Sequence, residues 1–185
     1  LVVEQNLFAG GLPAGVGLQP LGVFAEDVAD VSIQENHFEG LMGYALRLKD
    51  TGPVTVGKNI VEAMQMPPED LLLATFSINT PTADVDVFGN YISGGTVIGM
   101  LVFGLNGNVR WNVVEQTQSF SPPITLEDGW EYTFGDGIEV GVAGGEFLVE
   151  HNTVTQMTMD GISCHSIGIE DPESGTCVVS NKFVE

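Results

Sequence analysis

The sequence predicts an all-β solenoid, and three observations predict it. A side-chain frame built on Asn recurs along the chain. The spacing of that frame is the length of a structural repeat. The 24 Gly and nine Pro suit short strands joined by many turns, with little helix. In the frame, apolar residues stand five and three positions before an Asn and two positions after it. Val31, Ile33, Asn36 and Phe38 set the pattern. Val54, Val56, Asn59 and Val61 repeat it, then Val85, Val87, Asn90 and Ile92, then Phe147, Val149, Asn152 and Val154. Around Asn6, Asn112 and Asn181 the first position is weaker, but the other two hold.

Seven of the ten Asn fit, and at minus three all seven have Val or Ile (Val3, Ile33, Val56, Val87, Val109, Val149, Val178). Val and Ile are 33 of 185 residues, so seven out of seven is not chance. The anchors lie 30, 23, 31, 22, 40 and 29 residues apart, about the period of a solenoid. Side chains alternate along a strand, so minus five and minus three share one inward face. Asn tolerates the left-handed conformation, so it is expected to turn the chain there. The plus-two residue then opens a second inward-facing strand. Stacked amides can hydrogen-bond to one another and satisfy polar groups that would otherwise be buried unpaired. A β-sandwich with Asn in its hairpin turns competes, but it leaves the in-phase repeat unexplained.

The frame resembles the right-handed parallel β-helix of the pectin-lyase-like superfamily, with an asparagine ladder at one turn, over nearly all of the chain. The resemblance implies about seven stacked repeats and three parallel sheets in a single domain, residues 1–185. The ladder would be Asn6, Asn36, Asn59, Asn90, Asn112, Asn152 and Asn181. For activity it is unspecific, because that superfamily holds lyases, hydrolases, esterases, epimerases, tailspikes, adhesins and non-catalytic modules.

A further strand should precede each frame, at 23–26, 45–49, 76–79, 100–103, 138–142 and 162–165. In families with this architecture, substrate lies along the outward face of these strands. Between frames come a Gly/Pro-rich loop at 10–22, a Met- and Pro-containing one at 62–72 and the longest excursion at 115–137. Loops on one side of a solenoid commonly build its binding surface. Trp130, Tyr132 and Phe134 alternate along the long excursion and are the candidate ligand-binding residues, suited to a sugar ring or a partner protein. Packing of these rings against the solenoid flank is the plainer alternative.

Composition narrows the function classes. Twenty-five acids against five bases give a net charge of −20, which repels nucleic acid and polyanionic sugars alike. No apolar run is long enough to span a membrane. The chain starts in mid-repeat, and neither end carries a cap. It therefore reads as a piece of something longer, extracellular or cell-surface, with end-to-end stacking as a route to oligomers.

Catalytic candidates are few: Arg47 as a lyase-type base near Glu26, with Glu139 further along the same face. Glu26, Arg47 and Lys49 fall on adjacent repeats, and a solvated ion pair between neighbouring repeats explains that group as well. Asp84 and Asp86 stand two apart and can hold Ca²⁺ weakly, though a solvated acidic patch is the plainer reading. No other metal site and no cofactor is expected. The Asn-Thr-Asp, Asp-Asp, His-Gly and Arg-Ile-Lys pattern of galacturonases is absent, and Glu170-Asp171-Pro172-Glu173 lacks the His of the alginate epimerase run. Asp136 and Asp160 precede Gly and serve tight turns. His37, His151 and His165 belong to separate repeats and read as surface residues. Cys164 should point inward and Cys177, at minus four, outward, so two free thiols are expected. A non-catalytic module that presents loops to a carbohydrate or protein partner is the first reading. A polysaccharide lyase or glycoside hydrolase is the second.

Overall fold

A computed structural model describes residues 1–10, 22–41, 43–63, 74–94, 98–115, 124–125, 131–132, 135–156, 161–166 and 176–183. In chain order its strands begin with β1 (Val2–Glu4), β2 (Leu7–Ala9), β3 (Val23–Glu26), β4 (Val31–Gln34), β5 (His37–Glu39) and β6 (Leu46–Lys49). There follow β7 (Val54–Gly57), β8 (Ile60–Glu62), β9 (Ala74–Phe88), β10 (Tyr91–Ser93), β11 (Ile98–Arg110) and β12 (Val113–Glu115). β13 (Ile124–Thr125) and β14 (Glu131–Tyr132) form a small antiparallel pair. The last are β15 (Asp136–Val142), β16 (Glu146–Thr155), β17 (Ile162–Ser166) and β18 (Thr176–Phe183). Among the described residues there is no helix, and none therefore long and apolar enough to cross a membrane.

Sixteen strands make one sheet in which the pairs are parallel, an architecture compatible with a β-solenoid. The pairs fall into three tracks. The first runs β3–β6–β9–β11–β15–β17 and contains the strands expected ahead of each frame. The second runs β1–β4–β7–β9–β11–β16–β18. The third runs β2–β5–β8–β10–β12–β16. β9 and β11 pass unbroken from the first track into the second.

The frame positions face the core. Ile33, Val56, Val87, Val109 and Val149, the minus-three residues, are fully buried, and Phe38, Val61 and Val114 at plus two are too. Burying each such side chain contributes on the order of 1.5–3 kcal/mol. At minus five from Asn112 stands Gly107, where a Cβ would lie 2.0 Å from the Val85 carbonyl and 2.9 Å from the Phe147 ring. The ring of the neighbouring strand fills that place, which is why the frame is weaker there.

The anchor amides are joined to one another. Asn36, Asn59, Asn90, Asn112 and Asn152 are buried to within 1 %. The Nδ2 of Asn36, Asn59, Asn90 and Asn112 each donates to the Oδ1 of the next Asn at 2.9–3.0 Å. The same Oδ1 accepts the preceding Asn's backbone N–H, at 2.9–3.0 Å. Each Nδ2 also donates back to the carbonyl of an earlier minus-three residue, as Asn59 does to Ile33 and Asn90 to Val56. Asn6, exposed, joins the row through Asn36.

The bend itself does not sit on the Asn. Positive φ falls on the residue before it: Gln5, Glu35, Lys58, Trp111 and His151 at 55–58°, and Gly89 at 62°. The expectation that Asn takes the left-handed conformation is corrected accordingly. The Asn side chain must point inward to reach its partners, so its neighbour reverses the chain and projects into solvent.

β18 departs from the frame. Val178 pairs with outward Leu148, and Val179 with inward Val149. The register slips by one between Glu150 and Thr153, because β18 rounds the bend with one residue fewer. Val178 therefore does not occupy the inward minus-three place expected of it. The side chain of Asn181 lies outside the described residues. The same shift corrects the reading of the cysteines. Cys177 takes the register of inward Phe147, Cys164 is disulfide-bonded, and no cysteine among the described residues is free. Cys177 is the chain's only other cysteine.

Two outcomes are expected. Asn90→Ala strips the Asn59 amides of their acceptor and should lower stability by about 2–4 kcal/mol in urea unfolding, against under about 1 for Asn6→Ala at the exposed end. Cys164→Ser, which opens a loop of about 13 residues, should cost roughly 3 kcal/mol in the same assay, and a reducing agent should abolish the difference from wild type.

Candidate functional site

The outward residues of the second track line a groove of about 490 Å³ across four neighbouring strands. That volume lies within the roughly 300–1,000 Å³ of small-molecule sites. Alternation along each strand puts these residues there. Asp84 and Asp86 flank inward Val85, Asn106 and Asn108 flank Gly107, and Glu146 and Leu148 flank inward Phe147. Parallel register sets Asn106 beside Asp84, and Asn108 between Asp86 and Leu148. Thr55 on β7 adjoins Asp86 on the other side.

Part of this polar floor is already committed. Asn106 donates its Nδ2 to Asp84 Oδ1 at 3.0 Å and accepts the Glu146 backbone N–H at 3.1 Å. Arg110 donates to Asp86 Oδ2 at 3.3 Å. The remainder is available: the Asn108 amide, the Thr55 hydroxyl and the Glu146 carboxylate make no side-chain hydrogen bond among the described residues. Asp86 Oδ1 is buried and has no hydrogen-bond partner among the described residues. One rim of the groove is aromatic and cationic. The Phe88 ring lies over Gly57, whose added Cβ would stand 2.5 Å from it, and the Arg110 guanidinium lies 6.0 Å from the same ring.

Asp84 and Asp86, the proposed Ca²⁺ pair, are thus held by an amide and a guanidinium. Among the described residues no group of three His, Cys, Asp or Glu is placed to hold a metal ion. On the first track, Lys49 Nζ meets Glu26 Oε1 at 2.5 Å. Lys49, as donor and as nearby positive charge, holds the Glu26 carboxyl below the ordinary value of 4.5, and Glu26 in turn raises the Lys49 ammonium. Arg47 stands over the Phe24 and Tyr44 rings at 5.8 and 5.3 Å. Glu139 shares the Arg47 column, but Ser77 and Leu101 intervene. At about 4.8 Å per strand, Glu139 is roughly 14 Å from Arg47 and about 19 Å from Glu26. The first track brings Glu26 and Arg47 together and leaves Glu139 apart.

Trp130 and Phe134 lie outside the described residues, and of Tyr132 only the backbone, in β14, is described. His37 faces Glu62 at 3.3 Å. Sequence reasoning missed Glu146 and Leu148, and it missed Phe88, Arg110 and Trp111. The last three flank an anchor Asn at minus two, minus two and minus one, positions outside the apolar frame. A Trp in the bend was the available signal.

No family model, curated protein or solved structure matches the chain.

Because the folded Glu26 pKa is lowered, its contribution to stability is present above about 4.5 and is lost as pH falls through the folded value. NMR titration should place the Glu26 midpoint below 4.5, and Lys49→Ala should return it to that ordinary value.

Proposed function

We propose that this chain is a right-handed parallel β-helix of about seven repeats with an asparagine ladder, acting as a non-catalytic binding module of a secreted or cell-surface protein. Its ligand is a carbohydrate, held in the groove of the second track. The observation that carries this reading is the groove: three polar groups without a side-chain hydrogen bond among the described residues project into it from β7, β11 and β16, three of the four strands held in register there. A sugar offers hydroxyls that both donate to carboxylates and accept from an amide, and Glu146, Asn108 and Thr55 match that mixture. The net charge of −20 turns away anionic ligands. A disulfide at Cys164 suits an oxidising, extracellular setting.

Catalysis along the first track is the second reading, and the geometry favours it less. Glycoside hydrolysis needs two carboxyls about 5–9.5 Å apart, and Glu26 and Glu139 are about twice that or more. Glu26 is also engaged by Lys49 and Arg47 by two rings.

The test is affinity electrophoresis of the chain through neutral and acidic polysaccharides, together with a product assay on each. Retardation by a neutral polysaccharide without new reducing ends or unsaturated sugars is expected. Asn108→Ala should weaken that retardation about tenfold at unchanged Tm. Product formation, lost in Arg47→Ala, would overturn the non-catalytic reading. Retardation unaffected by Asn108→Ala would remove the ligand from the groove.

A further inference from the structure

Trp111 is the residue least explained by the fold. It holds φ at 56°, a conformation that costs a bulky residue on the order of 1–3 kcal/mol, and its side chain is 53 % exposed. Neither core packing nor the bend rewards a tryptophan there. The other residues at the same place in the repeat are Gln5, Glu35, Lys58, Gly89 and His151, so any polar residue or Gly serves the turn.

The ring nevertheless has two neighbours. It lies parallel to the His151 ring, with an 8° interplanar angle and 6.3 Å between centroids. The Arg110 guanidinium lies over it at 4.9 Å, and Arg110 is itself tied to Asp86 in the groove. The neighbour in the preceding repeat is Gly89, which raises no side chain beside it. A flat aromatic surface, half exposed and flanked by His151 and Arg110, thus stands next to a groove whose polar groups are in part without a partner among the described residues. Asn108, Arg110 and Trp111 follow one another on a single strand and its bend, so the ring is about 10 Å from the groove floor.

We infer that Trp111 is the stacking platform of an extended carbohydrate site, on which one sugar ring lies while the rest of the chain occupies the groove. This deepens the binding reading above and rests on it. The ligand class follows from the charges. Anions are repelled by the −20 surface and by Glu146 in the groove. Cations are drawn to the groove but repelled from the platform by Arg110, which lies against the Trp111 ring. A ligand with hydroxyls, an apolar ring face and no charge satisfies both halves, and only an oligomer reaches from one to the other. The site therefore takes a linear neutral oligosaccharide.

The probes are cello-, manno- and xylo-oligosaccharides of increasing length, titrated into the unaltered chain for affinity and into Trp130→Phe for fluorescence, where emission reports Trp111 alone. Calorimetry supplies the affinity. Affinity should rise with length until the oligomer spans groove and platform, with a shift in Trp111 emission. Trp111→Asn keeps a residue that accepts the left-handed bend, so it should fold with unchanged Tm and lose about tenfold or more in affinity, as an aromatic anchor does. Wild-type affinity in Trp111→Asn, with a loss in Asn108→Ala, would overturn the platform while leaving the groove reading standing. No binding of any neutral oligosaccharide would overturn both. Tighter binding of oligolysine than of any sugar would assign the surface to a basic protein partner instead and overturn the inference.

Discussion

Everything in this architecture depends on the hydrogen bonds between successive buried asparagines. An amide taken out of water must find partners for two donors and an acceptor. From Asn36 to Asn112, each Oδ1 receives two N–H groups, and each Nδ2 donates both forward to the next Asn and back to an earlier minus-three carbonyl. Those bonds close only if the next repeat presents its own Asn one strand spacing away. The amide row therefore fixes parallel register in the second track and in the third at once. It leaves the residue before each Asn to make the bend and to face outward.

The fold was largely legible because its determinants are chemical and recur. Inward apolar positions at minus three and plus two, and the Asn between them, can be filled by few residue types, so they mark the strands from β4 to β16. The bend position carries no such mark. Gln, Glu, Lys, Gly, Trp and His all occupy it, so composition is silent about which residue takes positive φ. The phase of β18 was hidden too, since a bend shorter by one residue moves every later side chain to the opposite face. That slip is what carried Cys177 from the expected outward place to the inward register.

The groove was less legible than the fold. Asp84 and Asp86 were readable as a pair two apart on one strand. Glu146 and Leu148 joined them only through β16, which lies 40 residues beyond the equivalent part of β11, across the longest excursion. Nothing local in the sequence announces a concavity formed by four strands. The first track shows the converse. Arg47, Glu26 and Glu139 share a face, yet strand spacing separates the two carboxylates by more than any acid–base pair can span.

One feature of the amide row bears on how such a chain can change. Anchors are as close as 22 residues and as far apart as 40, a difference of 18, yet the buried Asn contacts at both intervals have the same lengths within 0.1 Å. The longest stretch of extra sequence enters at the corner after the third track, between β12 and β15, and leaves the Asn112–Asn152 contacts at these lengths. New surface can thus be grafted at that corner repeatedly and at any length, while selection on the interior stays blind to the insertion.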